Sequence, residues 1–158
     1  MKRVLLSFLG LAFFAAGPLL AQDNPFLGTW KLNLAKSKFE PGPAPKSQTR
    51  TVTAEGDSVK YSFEGIGSDG TPFSYGFTVK YDGKDYPITG NGAPAGADTI
   101  SLKKVDSHKA EATLKKGAVE VGRASAEVSS DGKVSTVKGK GKTPDGKAYS
   151  SDTVYDKQ

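Results

Sequence analysis

The side chains best suited to catalysis are few and crowd into one tripeptide, Asp106-Ser107-His108. His108 is the single histidine, and cysteine is absent. A cysteine nucleophile and a polyhistidine metal centre are therefore excluded, and any serine hydrolase would need His108 as its base. Adjacent residues at a turn do not face one another as a Ser-His-Asp relay requires, so the tripeptide reads as a solvated turn. Glu55, Glu64, Glu111, Glu120 and Glu127 could supply the carboxylate pair of a glycosidase. Nearly all of them stand opposite apolar residues in an alternating pattern, so they are expected to face water. Gly90-Asn91-Gly92 lacks the strand-to-helix setting of a phosphate or dinucleotide loop. Neither an enzyme nor a bound metal or cofactor is expected.

The chemistry that remains is binding. Val59, Tyr61 and Phe63 alternate with Lys60, Ser62 and Glu64, and Phe73, Tyr75, Phe77, Val79 and Tyr81 alternate with Ser74, Gly76, Thr78 and Lys80. Each run is a strand with one dry and one wet face. If the strands close into a wide barrel, Tyr61, Phe63, Phe73, Tyr75, Phe77, Val79 and Tyr81 would form the wall of a ligand cavity, with tyrosine hydroxyls available to a polar group. The small residues Ala110, Ala112, Ala124, Ala126, Gly139 and Gly141 would face the same interior without filling it. The competing reading is a solid core, with function carried by the surface and loops, as an envelope interaction module or an inhibitor of a secreted enzyme.

A second binding feature is Lys138-Gly139-Lys140-Gly141-Lys142, which in a strand places three ammonium groups on one face. Such a row could meet an anionic envelope component, and equally serves as a solvated face that resists aggregation. A nucleic-acid partner is not expected.

The elements that must position these residues are strands. Glu55-Gly56-Asp57, Asp69-Gly70, Asp82-Gly83, Lys116-Gly117, Asp131-Gly132 and Asp145-Gly146 punctuate runs of about eight to twelve residues. Besides the two aromatic runs, strands are expected near 27–34, 47–54, 85–89, 99–105, 109–115, 119–129, 133–142 and 148–156. The fold class is all-β: an antiparallel up-and-down meander closing into a barrel of about eight to ten strands. A two-sheet sandwich is the alternative, whereas charged outward faces argue against an outer-membrane barrel. Residues 35–46, with Pro41, Pro43 and Pro45, read as a stiff extended excursion, and residues 89–98 as a mobile loop. Either could cover the barrel mouth or simply connect distant strands. An internal echo at an offset of 76 residues relates Val52, Gly56, Gly65, Asp69, Gly70 and Ser74 to Val128, Gly132, Gly141, Asp145, Gly146 and Ser150. Duplication of a half-barrel would produce it, and so would hairpin grammar alone.

The opening residues have the form of an export signal. Lys2 and Arg3 precede an apolar stretch over 4–16, and Leu19-Leu20-Ala21 offers a cleavage site after Ala21. The expected domains are a cleaved signal peptide, 1–21, and a single β-barrel, 22–158, located in a bacterial periplasm or secreted. Without cysteine, no disulfide supports that barrel. Residues 22–98 carry 8 basic and 9 acidic groups and residues 99–158 carry 12 and 8, so one half is mildly cationic. A monomer without a transmembrane span after cleavage is expected.

Gly28-Thr29-Trp30, at the head of the first strand, resembles the Gly-x-Trp signature of lipocalins and the wider calycin superfamily. The resemblance implies a closed antiparallel barrel holding a small hydrophobic or amphipathic ligand. It also implies that Trp30 plugs the closed end and contributes to the binding site beneath a basic side chain from a late strand: Arg123, Lys138, Lys140 or Lys157. More of the chain, from Asn24-Pro25-Phe26-Leu27 through Ala35-Lys36-Ser37-Lys38-Phe39 and Pro41-Gly42-Pro43 to Tyr81-Asp82-Gly83-Lys84-Asp85-Tyr86-Pro87, is similar to a family of small secreted bacterial proteins without an established function.

Overall fold

The computed structural model describes residues 24–143 and 145–158. The expected signal peptide, its cleavage site and the barrel's first two residues lie outside the described residues.

Alternation of side chains and turn glycines produces twelve strands and almost no helix among the described residues. They are β1 (Gly28–Leu32), β2 (Lys38–Glu40), β3 (Ser47–Glu55), β4 (Ser58–Ile66), β5 (Pro72–Val79), β6 (Asp82–Pro87), β7 (Thr89–Asn91), β8 (Thr99–Lys104), β9 (Lys109–Lys116), β10 (Val119–Val128), β11 (Val134–Lys142) and β12 (Ala148–Lys157). All belong to one antiparallel sheet in the order β6-β8-β9-β10-β11-β12-β1-β3-β4-β5-β7, with β2 paired to β12. The sheet curls into a nearly closed barrel. Its ladder ends, β6 and β7, do not pair with each other.

The turns form where turn chemistry demands them. Gly56, Gly70, Gly117, Gly132 and Gly146 all take positive φ, the region glycine enters at no steric cost. Asp69 and Asp131 accept backbone N–H groups two residues on, from Thr71 and Lys133, which fixes the bend.

Three expectations need correction. The strand count is twelve because residues 35–46 contain β2 and residues 89–98 contain β7, each three residues long. These segments have little apolar periodicity, so their strand character comes from tertiary pairing, Phe39 opposite Ser151 and Gly90 opposite Tyr75. Asp82-Gly83 is not a hairpin turn. Gly83 is positive in φ, Asp82 accepts from the Lys84 N–H and the Tyr86 hydroxyl, and the register of β6 against β8 breaks between Asp82 and Asp85. The pair thus opens β6 with a bulge. Finally, the aromatic strand expected over 73–81 ends at Val79, which leaves Tyr81 in the connection to β6.

The core runs along the barrel axis. Phe26, Trp30, Val52, Val79 and Val128 are the most deeply buried apolar side chains, and each contributes roughly 1.5–3 kcal/mol through burial. Among the described residues no helix is long and apolar enough to cross a membrane.

Candidate functional site

Trp30 is packed inside the barrel. Its ring is fully buried, and its indole N–H donates to the Phe26 carbonyl at 2.9 Å. The register sets Trp30 opposite Arg50 on β3 and Lys157 on β12. Both cations meet the indole: Lys157 Nζ is 5.0 Å and Arg50 Cζ 5.2 Å from the ring centroid. The late-strand cation over Trp30 is therefore Lys157. Arg123 instead pairs with Glu120 on the exposed surface of β10, while Lys138 and Lys140 point outward from β11. Gly28 explains the spacing of the Gly-Thr-Trp run. A Cβ there would lie 2.7 Å from Lys157 Cε, and φ is +125°, so glycine lets the lysine stem pass.

Beyond Trp30 lies an apolar cavity of about 230 Å³. Its aromatic wall is Tyr61 and Phe63 on β4 with Tyr75 and Phe77 on β5. The rings are held in pairs, Phe63 stacked on Tyr75 at 4.7 Å and 8°, and Tyr61 on Phe77 at 5.0 Å and 25°. Ala110, Ala112, Ala124, Ala126 and Gly139 from β9, β10 and β11 also line it, among larger groups such as Leu102, Leu114, Tyr149 and Tyr155. The small side chains leave space whose lining lacks van der Waals partners on one side.

Four of the seven sequence-expected site residues, Tyr61, Phe63, Tyr75 and Phe77, line this cavity. Trp30 does not line it; its indole is in contact with Phe26 and the two cations instead. Phe73 sits beside a neighbouring concavity of about 420 Å³. It is drawn there by glycines, since Gly65 pairs with it and a Cβ on Gly92 would lie 2.6 Å from its Cβ. Tyr81 lies past the end of β5, where its hydroxyl meets that of Tyr61 at 2.7 Å and its ring receives Lys104 Nζ at 4.9 Å. Val79 is fully buried elsewhere in the core, and Gly141 lies against β10. The second concavity shares Gln48, Tyr75 and Pro94 with the cavity. Pro43 and Pro45 flank it on one side, and Asn91 and Gly92 on the other. Both irregular segments thus border the approach to the cavity.

The cavity residue that sequence reasoning missed is Arg50. It is 3% exposed, and its Nε and Nη2 have no hydrogen-bond partner among the described residues. Its guanidinium carbon lies 4.5 Å from the Tyr155 ring centroid in addition to the Trp30 contact. Each such contact is favourable by roughly 0.5–2 kcal/mol, against a desolvation cost of several kcal/mol for a buried ion. Burial pulls the Arg50 pKa below its ordinary value, while the surrounding phenols, led by Tyr155, push the other way. Burial raises the pKa of Tyr61, Tyr75 and Tyr155, and the Arg50 charge opposes that rise. The Tyr155 hydroxyl donates to Gln48 Oε1 at 3.2 Å. A signal for Arg50 was present in the sequence: Gln48, Arg50 and Val52 share one phase of a strand, and valine fixes that phase as inward.

The catalytic candidates stand apart from this cavity. Ser107 Oγ does reach His108 Nδ1, at 2.9 Å, because the turn folds the two side chains together. Asp106 accepts the His108 backbone N–H at 2.7 Å, so its carboxylate is engaged by main chain and not by imidazole. Glu55, Glu64, Glu111, Glu120 and Glu127 are all exposed.

No known family matches the chain, and no curated protein matches it. The resemblance to a small secreted bacterial family therefore stands on the quoted residues alone. Among solved structures the chain is similar to a redesigned β-barrel, mFAP0, bound to DFHBI. The identity is 14% and the TM-score 0.42, over 84% of this chain and 99% of that one.

Proposed function

We propose that the protein is an exported, non-catalytic barrel that binds a small hydrophobic or amphipathic molecule inside the cavity. The observation that carries this reading is an apolar space of about 230 Å³ that the large side chains around it leave unfilled, with four alanines and a glycine on its border. A protein that needed only stability would gain by filling that space, since each vacant methyl-sized volume costs about 1 kcal/mol. Export rests on the opening sequence. Absence of catalysis rests on the engagement of Asp106 with main chain and on the outward glutamates.

The test uses N-phenyl-1-naphthylamine, a neutral apolar probe whose emission rises in dry surroundings, with protein purified from the exported fraction. Wild type is expected to bind it in saturable fashion. Ala126→Leu, which fills the cavity, is expected to weaken binding at least tenfold while the thermal midpoint holds or rises. Equal binding by both proteins would place the probe elsewhere and remove the reading. Mass spectrometry of the same sample is expected to find Gln22 at the N-terminus. An intact Met1 would refute cleavage after Ala21, and absence of the protein from the exported fraction would refute export.

One observation favours a second reading. Lys138, Lys140 and Lys142 form an exposed row on β11 and take part in none of the ion pairs among the described residues. A surface role would then appear as salt-sensitive binding to anionic vesicles, lost when the three lysines become glutamine.

A further inference from the structure

We infer that the cavity takes a singly charged carboxylate on a compact apolar body, and that Arg50 anchors its headgroup. This inference rests on the cavity-binding reading and names the ligand class.

The argument starts from what is missing around Arg50. A guanidinium carries five N–H donors. Its charge is stabilised by the faces of Trp30 and Tyr155, but an aromatic face stabilises charge without satisfying the in-plane donors. Nε and Nη2 are buried and unpartnered, and no salt bridge reaches Arg50 among the described residues. Arg50 also lines the cavity. A buried cation whose donors lack acceptors beside an open apolar space is the receiving half of an ion pair. Buried charge persists where it is paired, and the guanidinium fork matches the two oxygens of a carboxylate.

Charge and size narrow the class. Arg50 is the single buried cation on the lining, because Arg123, the other cation there, is exposed and paired with Glu120. One anionic charge is therefore compensated, and a doubly charged phosphate would keep an uncompensated charge in an apolar site. At about 230 Å³ the cavity lies below the roughly 300–1,000 Å³ of ordinary small-molecule sites. That suits a medium-length or single-ring acid better than a long chain. The Tyr155 hydroxyl is engaged with Gln48; Tyr75, Tyr149, Ser151 and Thr153 add neutral hydroxyls to the lining, and Arg50 is the charged donor there that lacks a partner among the described residues.

Calorimetric titration with octanoate and 1-octanol tests this, since the two have the same chain length and differ in headgroup charge. Wild type is expected to bind octanoate at least tenfold more tightly than octanol, with a change in the emission of Trp30, the single tryptophan and a neighbour of Arg50. Arg50→Met is expected to abolish the preference while the unliganded protein stays as stable or becomes more so. Arg50→Lys retains the charge, and is expected to bind more weakly yet still prefer the acid. If the methionine variant fails to fold, the lysine variant carries the test. Equal binding of acid and alcohol by wild type would overturn the anchor and leave the cavity reading intact. The same holds if wild type binds N-phenyl-1-naphthylamine but not octanoate. Failure to bind any of the three would overturn both.

Discussion

At the scale of single residues, the interior is defined by polar groups in an apolar space. Tyr61, Tyr75 and Tyr155 are buried with raised pKa values. A group whose folded pKa is raised contributes stability that is complete below its unfolded pKa and is lost as pH climbs toward the folded value. For tyrosine the unfolded value is about 10. These three tyrosines are therefore expected to leave the thermal midpoint unchanged between about pH 7 and 9 and to lower it above about pH 10. Phenolate absorbance from these three rings should appear together with unfolding. Tyr155→Phe should soften the fall, although it loses the bond to Gln48. Smooth titration of all six tyrosines in folded protein would contradict the burial of these three.

At the scale of elements, β11 shows how a repetitive sequence does two tasks. Its lysines alternate outward and its glycines inward. Gly139 borders the cavity, and a Cβ there would meet only Ser151 Oγ, at 3.1 Å. Gly141 has no such freedom, for its Cβ would lie 2.1 Å from the Val121 carbonyl oxygen and 2.8 Å from Gly122 Cα. Gly141→Ala is thus expected to destabilise by about 1–3 kcal/mol as an overpacked site. Gly139→Ala should stay within about 0.5 kcal/mol of wild type, as the neighbouring hydroxyl can turn aside. Urea unfolding of both variants decides it, and equal costs would refute the close approach at Gly141. The internal echo belongs to this scale too. Gly65 pairs with Phe73 as Gly141 pairs with Tyr149, and β4–β5 and β11–β12 share one register at the 76-residue offset. The preceding hairpins do not: Val52 pairs with Tyr61, while Val128 pairs with Ser135. Likeness is therefore strict for one hairpin, where glycine faces an aromatic ring, and relaxed where the turns differ in length.

At the scale of the whole molecule, stability depends on the ladder, with no disulfide and with ion pairs that are mostly exposed and individually worth little. The ladder is weakest at its ends. β7 has three residues, and β6 carries a register break at Asp82–Asp85. Hydrogen exchange is expected to be fastest in β6 and β7 and slowest in β11, β12 and the β3–β4 pair, which lie inside the ladder. Uniform protection would mean that the barrel closes more completely than its hydrogen bonding indicates.

Much of this architecture was legible in the chain because it is local. Alternation identified the aromatic strands and their dry faces, Asp-Gly pairs located most turns, and four of the aromatic site residues came from period-2 phase alone. What failed was non-local. Residues 38–40 and 89–91 became strands only because β12 and β5 offered them partners. Asp82-Gly83 became a bulge because residues 85–87 pair with β8 and not with β5. Sequence by itself determined strand, turn and facing, since those depend on neighbours along the chain. Tertiary structure decided that the interior keeps an unfilled space of about 230 Å³, that Lys157 and not another late-strand cation lies over Trp30, and that Arg50 is buried beside that space with unmet donors. Burial and the absence of a counter-charge are properties of everything that surrounds a side chain, and no run of adjacent residues encodes them.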